Sequence, residues 1–189
     1  MKKLVIILFL GLLSCKTEKN ISSKKCYESE QRDVLENSVR LFELKLKKQY
    51  PELSNEAAYF EFISDWSDKK LSVDFFKDSL ELKIRNLNLW TESNRSGKDM
   101  ELEKRLFNVD SMNPIRIKLN EQFSKCIAFS TKVEGIRNFL IVNTKYRYSP
   151  KLAKKSLLHT SEYDLKEFDN RLVIVLGVYY QTMFNIKVL

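Results

Sequence analysis

Cys15, Cys26, Cys126 and His159 are the side chains of this 189-residue chain best suited to nucleophilic or metal chemistry, there being three cysteines and one histidine in all. A thiol attacks only as the thiolate, and near neutral pH it needs a base or cation beside it. Cys126 falls on an apolar helical stripe, where thiols are usually inert, and His159 stands between Leu158 and a polar turn with nothing placed to orient its ring. A structural zinc site wants four ligands and a redox pair wants CxxC spacing, and neither can be drawn. Glu28 with Glu30, and Glu101 with Glu103, are spaced two apart, so each pair points to different helix faces and makes no acid–base site. The glycines Gly11, Gly97, Gly135 and Gly177 are isolated, which removes a phosphate-cradling loop. The sequence therefore predicts no catalytic residue, no metal, no cofactor and no enzyme.

Cys15 has a different context. Met1, Lys2 and Lys3 are followed by the uncharged run Leu4 to Leu13 and then by Ser14 and Cys15. A positive start before a short apolar run is the layout of a secretory signal. Ten residues at helical rise cover roughly 15 Å, about half a bilayer core, so the run is too short to span one. Its end, Leu12-Leu13-Ser14-Cys15, resembles the lipobox of bacterial lipoproteins. Only a thiol at that position can take a diacylglycerol as a thioether. The resemblance, confined to residues 1–15, implies cleavage before Cys15 and lipid on its sulfur and new amino terminus, with several acyl chains for a stable hold. Lys16 is not the acidic residue that retains some lipoproteins at the inner membrane, so resemblance favours the outer membrane.

With Cys15 lipidated, two thiols remain in an oxidising compartment. Either Cys26 and Cys126 join, closing a loop of about 100 residues, or Cys126 fills core space while Cys26 stays with the segment before it.

Removal of residues 1–14 as a signal peptide takes Lys2 and Lys3 with it, so the formal charge falls from +8 to +6. Residues 15–25 carry Lys16, Lys19, Lys24 and Lys25 but only Ile21 as a large apolar side chain, the composition of a flexible tether reaching about 30 Å. Residues 26–189 form one domain. The modest, dispersed charge, without alternating basic and aromatic residues, argues against nucleic acid. Four glycines and three prolines are too few for the turns of a β-sandwich or barrel. The fold class is all-α, an irregular bundle of five to seven helices.

The spacing predicts a helix over 27–50 through Leu35, Val39, Phe42, Leu46 and Tyr50, stopped by Pro51. Ser54 caps a second, with Tyr59, Phe62, Ile63 and Trp66 on one face. Over 72–92 the apolar positions fit a helix, although Leu80, Leu82 and Ile84 also alternate as a strand would. Residues 93–98 read as a loop, with a short helix through Leu102, Leu106 and Phe107. Asn113-Pro114 opens a long helix through Leu119, Phe123, Cys126, Ile127, Val133, Ile136 and Leu140. Ser149-Pro150 starts a short basic helix. Ser161 to Asp164 resembles a capping box for a last helix, apolar all round over 172–180 and so enclosed by others, with a buried strand as the lesser alternative. Tyr179 or Tyr180 must then find a hydroxyl partner inside.

The function expected first is a non-catalytic helical module, held at the cell envelope by lipid on Cys15 and binding an envelope protein. A small-ligand bundle with a cavity lined by Trp66, Trp90 or the tyrosines ranks second. An envelope-polymer hydrolase ranks third.

Overall fold

A computed structural model describes residues 26–92, 115–118, 123–145 and 150–186. The expected signal peptide, the tether, the short helix through Leu106 and the Asn113-Pro114 start lie outside these. Among the described residues there are seven helices and one two-stranded sheet, a mostly all-α architecture.

Helix α1 (Ser29–Gln49) buries Leu35, Val39, Phe42 and Leu46. Acidic Glu30 in its first turn and Lys47 and Lys48 in its last complement the helix dipole. The Tyr50 N–H closes on the Leu46 carbonyl at 2.8 Å before Pro51 ends the run. Helix α2 (Asn55–Ser67) starts where the Ser54 hydroxyl accepts the Ala57 N–H at 3.1 Å. It ends in a Schellman turn: Lys69 N–H bonds to the Trp66 carbonyl, Lys70 N–H to the Asp65 carbonyl, and Lys69 sits at φ 56°. Between α1, α2 and the last helix lies an aromatic core. Phe42 meets Phe62 at 4.8 Å, Tyr179 at 4.9 Å and Tyr59 at 5.4 Å between ring centres, tilted or edge-on as quadrupoles prefer.

Residues 72–92 do not form the single helix that their spacing predicts. A 3-10 turn (Val73–Phe76) is followed by the short α3 (Glu81–Asn86) and by β1 (Trp90–Glu92). The Asp78 carboxylate takes the Leu80 N–H at 2.6 Å, breaking the run where a continuous helix would have placed an apolar stripe. Leu82, whose alternation with Leu80 and Ile84 would have suited a strand, faces solvent at 72 % exposure.

The long helix expected from Pro114 is likewise divided. Residues Ile115–Ile117 form β2, antiparallel to β1 with Trp90 opposite Ile117. Helices α4 (Phe123–Ser130) and α5 (Glu134–Lys145) then follow, separated at 131–133. Thr131 makes that corner: its buried hydroxyl donates to the Asn170 side-chain oxygen and also accepts the Val133 N–H. Helix α6 (Pro150–Leu157) begins at the proline, as proline's fixed φ favours. Gly135 lets α5 and α6 touch, since a Cβ there would stand 2.3 Å from the Ser156 carbonyl oxygen.

Ser161 and Asp164 do bond reciprocally, but the box opens only a 3-10 turn (Asp164–Lys166). The last helix, α7, starts at Phe168. It is α-helical over Phe168–Ile174, π-helical over Val175–Tyr180, and α-helical again over Gln181–Ile186. Every residue from Leu172 to Tyr180 is buried, so the stretch is an enclosed helix and not a strand. Helix α7 packs on α1, α4, α5 and β2 and forms the axis of the fold.

A polar spine holds that axis. Asn143 and Gln181 exchange side-chain amide bonds at 2.9 and 3.0 Å. The Asn185 amide accepts the Ile115 N–H at 3.0 Å and donates to the Ile115 carbonyl at 2.8 Å. The Gln181 oxygen also faces the Ile117 N–H at 3.4 Å. The edge of β2 turned away from β1 thus finds, in two side-chain amides, the partners a third strand would have supplied. Buried backbone groups must be paired, and these residues pair them.

Candidate functional site

Two regions concentrate features that the packing alone does not require. The first is the start of the described chain. Cys26 and Cys126 are joined in a disulfide with their Cα atoms 5.5 Å apart. Tyr27 follows, buried, its ring 6.3 Å from Phe123 at the start of α4. The bond ties the chain, one hundred residues apart in sequence, to the middle of α4. Phe129, three residues after Cys126 on the same helix, is 76 % exposed.

The second region is an open hollow of about 310 Å³ along the outer side of α1, lined by Leu41, Leu44, Lys45, Lys48, Lys77, Asp78 and Ser79. Leu41, Leu44, Lys45 and Lys48 follow one another at three, one and three residues, so they share a helix face distinct from the buried stripe. Leu44 is 56 % exposed there.

Behind the hollow the polar groups converge. The Lys45 ammonium donates to the carbonyl oxygens of Phe75 at 3.1 Å and Lys77 at 2.5 Å. It stands 5.8 Å from the ring centres of Phe75 and Tyr179, within reach of a cation–π attraction. Burial holds its pKa below the ordinary lysine value, and the Asp78 carboxylate works in the opposite direction. Asp78 also accepts the Tyr180 hydroxyl at 3.1 Å and faces the Tyr179 hydroxyl at 3.5 Å. The wider π-helical turn reduces the angle between successive side chains, so that two neighbouring tyrosines reach one carboxylate.

Burial, and then the charge of Asp78, push both phenols far above the ordinary tyrosine value. Such phenols remain hydrogen-bond donors at neutral pH and keep their protons. The arrangement fixes Asp78 and Lys45 at the floor of the hollow and leaves Lys48, Lys77 and Leu44 at the rim.

A smaller polar group, Arg171 with Glu43 at 2.7 Å and Tyr59 with the same carboxylate oxygen at 3.3 Å, ties α7, α1 and α2 together. Both ion-pair side chains are mostly buried, and burial first, then the Glu43 charge, raises the Tyr59 hydroxyl well above its ordinary value.

The other sequence candidates are dispersed. His159 is exposed in the turn after α6, its N–H bonded to the Ser156 carbonyl. Glu28 and Glu30 are exposed at the start of α1, whereas Glu101 and Glu103 lie outside the described residues. The indole N–H groups of Trp66 and Trp90 are taken up by the Thr182 hydroxyl and the Ile84 carbonyl, which makes both rings part of the packing. Among the described residues no group of three His, Cys, Asp or Glu side chains could hold a metal ion, and no helix is long and apolar enough to cross a membrane.

Sequence reasoning asked for a partner for Tyr179 or Tyr180 without identifying Asp78. It also passed over Leu41 and Leu44, whose position off the buried stripe was a legible sign of a second apolar face. No protein-family model, no curated protein and no solved structure matches this chain.

Proposed function

We propose that this chain is a membrane-anchored envelope lipoprotein whose helical domain is a non-catalytic module for binding another protein. The observation that carries the anchor is the run Leu12-Leu13-Ser14-Cys15 after a short apolar segment with a positive start. The disulfide supports the same reading, because such bonds persist outside the reducing cytoplasm. Cleavage before Cys15 and lipid on its sulfur leave the domain leashed to the membrane, with the outer membrane favoured.

The hollow on α1 supports the binding role. It offers an exposed leucine among three lysines, the pattern of an anchor residue inside a polar rim. With Lys77 paired to Asp74 and Asp78 set against Lys45, Lys48 leaves a small positive excess that fits an acidic face on the partner, which would steer encounter and fix register. The groups beneath it are held in place by buried tyrosines.

The test has two arms. A Cys15→Ala chain is expected to leave the membrane fraction in which the parent chain is found; its retention there would remove the anchor. A photo-crosslinking residue at Leu44, used in intact cells, is expected to yield one discrete protein adduct that a Lys48→Glu substitution diminishes several-fold. Adducts no different from those formed at exposed Leu152 would refute the binding role of the hollow.

A further inference from the structure

The place where the leash enters the domain has a consequence for how the domain stands. We infer that the disulfide end of the domain, with the Phe129 ring at its tip, seats on the bilayer that carries the anchor, leaving the α1 hollow further from the membrane. The inference rests on lipid attachment at Cys15.

Three observations carry it. Cys15 and Cys26 are eleven residues apart, so the covalent reach between lipid and domain is at most roughly 40 Å. That reach ends at the Cys26–Cys126 bond, and therefore on α4 as well as at the start of α1. Phe129 lies three residues from Cys126, on the same side of α4, and is, among the described residues, the most exposed of the large hydrophobic side chains at 76 %. The bilayer to which the chain is tied is a large apolar surface within the leash's reach of this ring.

Electrostatics assists in the tether more than in the domain. Residues 16–25 hold Lys16, Lys19, Lys24 and Lys25 against Glu18, and each lysine is attracted to an anionic surface. On the domain, exposed Lys125 and Lys132 near Phe129 are balanced by exposed Glu28, Glu30 and Glu134. The phenyl ring and the leash thus hold the seat. Insertion of one aromatic ring is too weak to recruit a free protein, but a leash of this length converts docking into an intramolecular event at high effective concentration.

The direction of the hollow follows from α1. Leu44 lies fifteen residues beyond Ser29, which at helical rise is about 22 Å along the axis from the disulfide end. Along α1 the hollow therefore stands apart from the disulfide end of the domain.

The mature lipidated protein, reconstituted into phosphatidylcholine–phosphatidylglycerol vesicles with brominated acyl chains, tests this. Phe129→Trp and Leu82→Trp variants are compared with the parent chain, Leu82 being a control of similar exposure on α3 at 72 %. The added emission at position 129 is expected to be quenched by at least half and blue-shifted, while that at position 82 is as in unbrominated vesicles. Vesicle-bound protein with no quenching at 129, or equal quenching at both positions, would overturn the seat and leave the anchor standing. Failure of the parent chain to float with the vesicles would overturn both. Circular dichroism and melting of each variant identical to the parent's identify loss of quenching as a change of seat and not of fold.

Discussion

Replacing Cys26 and Cys126 together by alanine removes a covalent closure across one hundred residues of sequence. In the chain-entropy model a loop of that length stabilises the folded state by about 4.7 kcal/mol, and native disulfides deliver typically 2–4 kcal/mol. The packing lost with the sulfur atoms is the smaller contribution, since Cys126 is only half-buried, although Cys26 itself is buried. The expected loss is therefore about 3–4 kcal/mol. At roughly 2–4 °C per kcal/mol for a domain of this size, the melting temperature falls by about 6–16 °C. Thermal melting followed by circular dichroism measures it, beside the parent protein with and without reductant. The reduced parent and the double variant should melt together. Two reactive thiols on the unreduced parent in denaturant, or a double variant melting within 3 °C of the parent, would refute the reasoning.

Further outcomes follow from the spine and from the buried phenols. Asn185→Leu strips both backbone groups of Ile115 of their partners and should cost about 2–4 kcal/mol in urea unfolding; a loss below 1 kcal/mol would mean that β2 is not held by α7. Gly177→Ala gains helix propensity, yet its methyl would stand 2.8 Å from the ring of buried Phe139. Overpacking should prevail, and a net destabilisation of about 1–2 kcal/mol is expected, which a raised melting temperature would contradict. The phenols of Tyr59, Tyr179 and Tyr180 are all raised above 10 by burial in the folded state. The unfolded chain loses those protons first, so this stability is complete below pH 10 and declines as pH rises beyond it. Phenolate absorbance at 295 nm should therefore appear for these residues together with unfolding, and their titration near pH 10 in a still-folded protein would contradict the burial.

The parts of the fold legible in the sequence are those governed by local chemistry. The three- and four-residue rhythm from Leu35 to Leu46, the Ser54 cap and the Pro150 start need only neighbours along the chain, and they appear as read, whereas the residues after Pro114 form β2 and not a helix. What was not legible depends on distant side chains. The break at 131–133 carries no glycine or proline; it is made by a hydroxyl bonding to Asn170, thirty-nine residues away. The strand at 115–117 is sustained on its outer edge by amides sixty-four and seventy residues later. Over 72–92, the helix stripe through Val73, Phe76, Leu80, Ile84 and Leu87 is interrupted where the Asp78 carboxylate takes the Leu80 N–H. The hollow was half visible, because Leu41, Leu44, Lys45 and Lys48 already share a face in the sequence, whereas Asp78 comes to that face only through packing against α7.

Lipid at position fifteen is the claim on which the proposed role and the seat both depend, and the mass of the mature amino-terminal peptide tests it most directly. The peptide is expected to begin at Cys15 and to carry the added mass of a thioether-linked diacylglycerol, with no peptide recovered from residues 1–14. A chain still beginning at Met1, with an alkylatable thiol on Cys15, would contradict the account.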